Sequence, residues 1–406
     1  MRIIALWSLL AALVWAATLA ELIDAAQGGD LARAGEWRVR AAEAAHAATG
    51  RSYLPSVDVG VRFSEVNEVS MEPQLAASAT VSWVLFDGFA REHELSARRS
   101  EWEASRLEQT DTLNRNALET IRLYFRLIAA VRAVEAQEVQ VRRLEAEGER
   151  LGGFAGAGIV SSQEVAQIEA ALETARYELS ALQNDRLGLQ LELENLTGLN
   201  LEGFSPAPAA VSAPAKALDA QARPDIEAVR HRVRAQGSRA EAVRSAYIPN
   251  LTLENVFSKN SYADNNLLDL PEDQNRISLT LSVRLTDFGR LGREREAARA
   301  YKRAEESRLQ YTQKAAASQQ RLAAFRVESA QKRVESARRA LASSEIVFAQ
   351  SEKKFAARLI DEVAFLDALT QKTQSTARLS AALSEYEIAK AEYHYALGNE
   401  IKETIR

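Results

Sequence analysis

From Pro55 the chain alternates apolar and polar residues, with Val57, Val59, Val61 and Phe63 set against Ser56, Asp58, Gly60 and Arg62. After a polar break from Ser64 to Gln74, Ala77, Ala79, Val81, Trp83 and Leu85 oppose Ala76, Ser78, Thr80 and Ser82. Period two over about ten residues predicts a strand with one apolar face, and the pair predicts a β-hairpin over residues 54–86. The pattern returns as Leu251, Leu253 and Phe257 against Thr252, Glu254 and Ser258. Its partner run sets Ile277, Leu279, Leu281, Val283 and Leu285 against Ser278, Thr280, Ser282, Arg284 and Thr286, which predicts a second hairpin over 248–287.

Beyond Asp87 and Asp287 the period becomes helical. No proline occurs between Arg91 and Arg150, and Leu113, Ala117, Ile121, Tyr124, Phe125, Ile128 and Val131 recur at three-four spacing among charged residues. That stripe predicts one helix packed along a single face, about 90 Å long at 1.5 Å per residue. A break is expected at Gly152-Gly153-Phe154-Ala155-Gly156-Ala157-Gly158, then a second helix from Ser162 to Leu196 that stops at Gly198, giving a helical hairpin over 90–198. The same grammar runs from Gly292, through a softer break near Ala356 to Asp361, to Gly398, giving a hairpin over 290–398. Long helices without a globular insert suit a duct or a strut better than an enzyme pocket.

The chain is thus written twice. Tyr53-Leu54-Pro55 recurs as Tyr247-Ile248-Pro249, an offset of 194 (247 − 53). Asp87, Phe125, Val134-Glu135 and Gly198 recur as Asp287, Phe325, Val334-Glu335 and Gly398, all at an offset of 200 (287 − 87). Units this long are fused supersecondary halves and not solenoid repeats. The first is expected over 21–198 and the second over 223–406, where a short tail follows its hairpin. Between them lies a Pro/Ala/Ser linker, 199–222, containing Phe204-Ser205-Pro206-Ala207-Pro208. Arg223-Pro224-Asp225-Ile226 opens a short helix with proline in its favoured first turn, and a similar helix from Asp30 precedes the first hairpin.

Four strands are few for a soluble sandwich core. Strands of 9–11 residues also suffice to cross a membrane with lipid on one face and water on the other. An open sheet edge cannot exist in hydrocarbon, so such strands must close with those of other subunits. Two copies make eight strands and three make twelve, and the pattern alone does not choose.

Composition narrows the chemistry. The 406 residues are 47% hydrophobic and 26% charged with a net charge of −5, and the Lys and Arg residues are scattered, which gives no case for nucleic acid. Cysteine is absent, so disulfides, thiolate metal sites and a lipidated cysteine anchor are excluded. His46, His93, His231 and His394 share no ligand spacing, no nucleophile-base arrangement is visible, and no metal, cofactor or enzymatic activity is expected. Met1-Arg2 and the apolar run Ile3 to Ala17 predict a signal peptide over about residues 1–20, with Ala16 (Val14 at −3) and Ala20 (Thr18 at −3) both acceptable cleavage points. Aromatic residues gather about the strands, Tyr53, Trp83, Phe86 and Phe89 in one copy, Tyr247, Phe257, Tyr262 and Phe288 in the other, as in interfacial girdles or equally in a core.

The order of these parts resembles the TolC-like outer membrane efflux protein family. The resemblance rests on the duplication, on Arg223-Pro224-Asp225 at the start of the second half, on Trp83-Val84-Leu85-Phe86-Asp87-Gly88 after the first hairpin, and on Leu196-Thr197-Gly198 at the end of the first half. It implies a mainly helical fold in which long antiparallel helical hairpins form a trimeric α-barrel, continuous with a twelve-stranded transmembrane β-barrel built from four strands per subunit. It also implies a homotrimer in the outer membrane of a Gram-negative bacterium, extending into the periplasm. Such a trimer is a passive exit duct of a tripartite efflux or type I secretion system, docked by a periplasmic adaptor and an inner-membrane pump. The alternative is a periplasmic coiled-coil adaptor without a pore.

The resemblance carries over to particular positions. Helical-hairpin tips that meet the adaptor read Gly-x-x-Ser/Thr in the family, matched here by Gly158, Ile159, Val160 and Ser161. The second tip, Arg358-Leu359-Ile360-Asp361, departs from it with Arg in place of Gly, and helix capping by Ser161 and Asp361 explains these residues equally well. Acidic residues after the second tip close the family's tunnel, which makes Asp367, with Asp361, Glu362 and Arg358 nearby, the gate candidates. The companion acidic position is Ala364 here, and a plain surface aspartate is the competing reading of Asp367. The lipid-facing strand candidates are Val57, Val59, Val61, Phe63, Val81, Trp83, Leu251, Leu253, Ile277, Leu279, Leu281 and Val283.

Overall fold

A computed structural model describes residues 18–64, 74–156, 160–213, 223–261 and 273–405. The helices are α1 (Leu19–Gln27), α2 (Asp30–Arg51), α3 (Ala90–Gly156), α4 (Ser162–Thr197), α5 (Pro224–Ser245), α6 (Arg290–Ala356) and α7 (Glu362–Leu397). The strands are β1 (Ser56–Ser64), β2 (Gln74–Phe86), β3 (Asn250–Ser261) and β4 (Asp273–Ser282). The duplication is metrically tight. Helices α3 and α6 have 67 residues each, α4 and α7 have 36 each, and α2 and α5 have 22 each.

All four strands lie in one antiparallel sheet of order β1-β2-β3-β4. Opposite residues share a face, so the register gathers the apolar set: Val57 faces Val81, Phe63 faces Leu75, Trp83 faces Leu253, and Leu253 faces Leu279. This face is uncovered within the chain, with Val59 at 78% and Leu279 at 62% exposure. The opposite face carries the mostly polar row Asp58–Thr80–Val256–Arg276.

Three details differ from the sequence expectation. A bulge between Val84 and Phe86 puts Phe86, and not Leu85, opposite Leu251. Asn255 stands among the apolar residues opposite Val81 and Ile277, so the second hairpin's apolar face is interrupted. Strand β4 ends at Ser282, paired with Asn250, which leaves the candidate Val283 just past the paired region. Position 283 would need to pair with Pro249, which has no N–H to donate.

Each β-to-α turn is held by an aspartate and two consecutive left-handed residues. Gly88 and Phe89 have φ of 67° and 69°, and Phe288 and Gly289 have 54° and 88°. The copies therefore swap the order of the glycine and the phenylalanine that the turn uses. The Asp287 carboxylate accepts from the amides of Gly289 (3.1 Å) and Leu291 (2.7 Å). In the first copy Arg91 replaces that leucine. Its Nε donates to Asp87 (2.8 Å), its Nη1 to the Ser52 carbonyl (3.0 Å) and its Nη2 to the Val84 carbonyl (2.8 Å), with the guanidinium 4.6 Å over Tyr53. This single side chain ties the base of the sheet to the start of α3.

Helix α3 ends at Gly156, inside the break expected over Gly152 to Gly158, and α4 starts at Ser162 as expected, although Gly152 and Gly153 themselves are still helical. Neither glycine has a positive φ, and a helical glycine costs only about 1 kcal/mol, which a helix this long absorbs. Helix α1 was not expected. Thr18 starts it with a capping box: its hydroxyl accepts from the Glu21 amide (3.3 Å) and its own amide donates to the Glu21 carboxylate (2.8 Å).

The chain divides into two compact units that cut across the repeats. One holds residues up to 34, 110–223 and 314–406, and the other holds 35–109 and 224–313 with the sheet. The first unit has two apolar clusters. Leu19, Leu22 and Ile23 pack with Ile121, Tyr124, Leu127, Leu193, Leu201 and Val211 in one. Val141, Leu144, Ala175, Phe348, Phe365, Ala368 and Leu369 make the other. Leu201 and Val211 belong to the connection expected as a low-complexity linker, which is packed down over residues 199–213. The Tyr124 hydroxyl donates to the Ala207 carbonyl (2.7 Å), and Lys390 Nζ donates to the Val211 carbonyl (2.6 Å). His394 Nε2 lies 3.1 Å from the Ser212 carbonyl, and Asn399 meets its Nδ1 at 2.9 Å. Residues 214–222 lie outside the described residues.

Gly88→Ala is expected to cost upward of ~2 kcal/mol, because the residue is left-handed and an added Cβ would lie 2.6 Å from Ile248 Cβ and 2.7 Å from the Ser245 carbonyl. Gly289→Ala, with open space around it, is expected to cost only ~1 kcal/mol; melting of the detergent-extracted variants compares them. Burial, followed by the nearby Lys390 charge and opposed by the Ser212 carbonyl, lowers the His394 pKa from 6.5. The folded state therefore binds its proton less readily than the unfolded chain, so this contribution is full above pH 6.5 and is lost as pH falls below it. The melting temperature of wild type is expected to drop across that range more steeply than that of His394→Gln.

Candidate functional site at the hairpin tips

Helix α6 ends where Lys354 and Phe355 offer their carbonyls backwards. Leu359 N donates to Lys354 O (2.8 Å) and Arg358 N to Phe355 O (3.0 Å), the two bonds of a Schellman motif. Arg358 occupies its left-handed position with φ of 58°. Glycine is the usual residue there, which gives physical content to the Gly158/Arg358 correspondence: Gly158 stands 200 residues earlier (358 − 158). Gly158 and Ile159 themselves lie outside the described residues.

Two residues on, Asp361 caps α7 by accepting from the Ala364 amide at 3.0 Å. Ser161 does the same for α4, accepting from the Glu164 amide at 3.2 Å. Both tips thus end in a capped helix, and the bland reading of Ser161 and Asp361 is satisfied whatever else they do.

The tips of the two copies meet around a cleft of about 520 Å³ lined by Val160 and Glu164 from the first and Arg358, Leu359, Asp361 and Glu362 from the second. Below it, Phe355 stacks on Phe365 (4.6 Å between centroids, 10° between planes), and Phe348 packs at 6.1 Å. Arg150 of α3 lies over both Phe154 (6.0 Å) and Phe355 (5.5 Å), and Arg358 lies over Phe154 at 5.5 Å. Cation–π contacts at exposed sites are worth about 0.5–1 kcal/mol each. Phe154, Phe355, Phe365 and Arg150 escaped the sequence reading. The Arg150/Phe154 spacing of four was visible, but Arg150's crossing partner Phe355, 205 residues away (355 − 150), was not.

Ile360 is half-buried against the second apolar cluster, whereas Leu359 is 73% exposed at the turn. Asp367 sits two turns into α7. Phe365, Ala368 and Leu369 on either side of it are buried, so the helix is rotationally fixed with Asp367 on its exposed side. Asp367 makes no ion pair with any of the described residues. Of the four gate candidates, Asp361 is engaged as a cap and Arg358 on Phe154, Glu362 is half-buried in the first turn of α7, and Asp367 is exposed.

An uncovered apolar sheet face joined to tandem helical hairpins of fixed length defines a subunit of a membrane β-barrel continued by helices. The family model described as outer membrane efflux protein matches residues 25–199 and 217–399, and the chain belongs to this family. No curated protein matches it in sequence. Among solved structures it is similar to the CmeC outer membrane channel of Campylobacter jejuni, with TM-score 0.82, 16% identity, and 94% of this chain and 85% of that one covered. The outer membrane protein VceC of Vibrio cholerae gives 0.79 and 16%, covering 94% and 96%. The open MtrE outer membrane channel of Neisseria gonorrhoeae gives 0.78 and 15%, covering 94% and 89%. The protein is an outer membrane efflux protein. The poreless adaptor reading falls with the family assignment.

Relief of the left-handed strain by Arg358→Gly, worth about 1 kcal/mol, offsets the lost contact with Phe154, about 0.5–1 kcal/mol. This variant is expected to melt within a degree or two of wild type. Arg358→Val, β-branched at the same φ, is expected to lose ~1–2 kcal/mol more in the same thermal assay.

Proposed function

We propose that three Asp367 side chains, one per subunit, form an acidic ring at the periplasmic mouth of this channel and set its preference for cations. The observation that carries the reading is the fixed, exposed placement of Asp367 on α7, beside a tip where Asp361 is engaged as a cap and Arg358 on Phe154. A ring of carboxylates at a constriction favours cations electrostatically. Ala364 stands where the family has a companion acid, so the filter here has a single tier.

The tips serve as the adaptor contact. Leu359 offers an apolar side chain on a turn braced by the Schellman bonds, and Ile360, Val160 and Ser161 flank it, with Gly158 and Ile159 completing the first tip in sequence. The exposed apolar sheet residues Val57, Val59, Val61, Phe63, Val81, Trp83, Ile277, Leu279 and Leu281, with the half-buried Leu251 and Leu253, face lipid, and Val283 meets it at the sheet's margin. Transport needs no catalytic step by this chain; the family is one of channels.

Single-channel conductance of the purified trimer in a planar bilayer tests the ring. Asp367→Asn is expected to conduct with reduced cation selectivity and weaker block by divalent cations. Unchanged selectivity in a conducting Asp367→Asn trimer removes Asp367 from the mouth and returns it to the outer surface.

A further inference from the structure

The sequence leaves two points at which an exported leader can be cut, after Ala16 and after Ala20, and helix α1 separates them. Thr18 is the hydrogen-bonding start of this helix, through both its hydroxyl and its amide. Leu19, the first helical residue, is 2% exposed, and Leu22 and Ile23 are fully buried beside it. They fill the apolar cluster with Leu193 of α4 and Leu201 of the connection. The helix has only nine residues. Removal of Thr18, Leu19 and Ala20 takes away its cap, a buried leucine and its first turn, and a helix that short does not hold without them.

We infer that the leader is removed by hydrolysis of the Ala16–Ala17 peptide bond, so that the mature chain begins at Ala17 and keeps the whole of α1. The bond's other neighbours agree with this choice. Ala16 at −1 and Val14 at −3 satisfy the preference for small side chains, whereas a cut after Ala17 would put Trp15 at −3. Water supplies the hydroxyl to the Ala16 carbonyl carbon and a proton to the Ala17 nitrogen, which departs as a free amine. The enzyme is a signal peptidase of the small-residue class. Ala20 meets the same local rule, with Thr18 at −3, yet its use would cost the folded protein a core element.

Terminal sequencing and intact mass of the protein extracted from outer membranes test this directly. The expected N-terminus is Ala17-Thr18-Leu19; a chain starting at Glu21, or an uncut chain starting at Met1, overturns the inference. Val14→Asp lies outside α1 and spoils the −3 position of the proposed site alone. It is expected to accumulate precursor, whereas an assembled trimer starting at Glu21 from this variant would overturn the inference. The channel function is judged separately, because a trimer that conducts with any of these N-termini leaves it standing.

Discussion

The outer edges of β1 and β4 carry backbone N–H and carbonyl groups that pair with nothing among the described residues of this chain, and hydrocarbon supplies no substitute partner. Leaving one such group unpaired there costs several kcal/mol, more than any side-chain contact in the molecule returns. The sheet therefore finds a place in the bilayer only when other copies close it. Much else follows: an apolar face with no internal cover, and an oligomer as the folded unit. Arg91 and the two left-handed turns join strand to helix with no slack residues.

Much of this was legible in the sequence because it is periodic. Alternation exposed the strands, three-four spacing exposed the helices, and the constant offset exposed the equivalence of α3 with α6 and α4 with α7. What escaped was local or crossed the repeats. The bulge at Val84/Phe86 obeys pairing geometry that alternation cannot show, and Val283 fell outside β4 because of a proline on the neighbouring strand. The run Gly152 to Gly158 marked where α3 stops, but not the residue: Gly152 and Gly153 stay helical and the helix ends at Gly156. The aromatic and arginine contacts beneath the tips join residues from both copies, so no window along the chain contains them.

The two copies share a backbone while dividing the chemistry between them. At the strand-to-helix turn one copy spends its third position on Arg91 and the other on Leu291, so only the first lashes the sheet with a guanidinium. At the tip, Gly158 in one copy corresponds to a strained arginine in the other. At the strand-to-helix turn the backbone is common and the side chain differs, so symmetric geometry supports an asymmetric surface. The linker shares in this, because Lys390 and His394 of the second copy grip it while the first copy offers Tyr124.

The change of offset from 194 to 200 has a consequence for how such a chain varies. All of the length difference between the copies falls between the proline that opens each hairpin and the aspartate that closes it. From Ala90 and Arg290 onward no residue has been gained or lost in one copy relative to the other. An insertion of one residue in a helix turns everything beyond it by about 100°, and every neighbour in a ring would have to turn with it. A lengthened β-hairpin disturbs only its own end. The sheet end can therefore change length in one copy alone, whereas the helical staves are held to a common length.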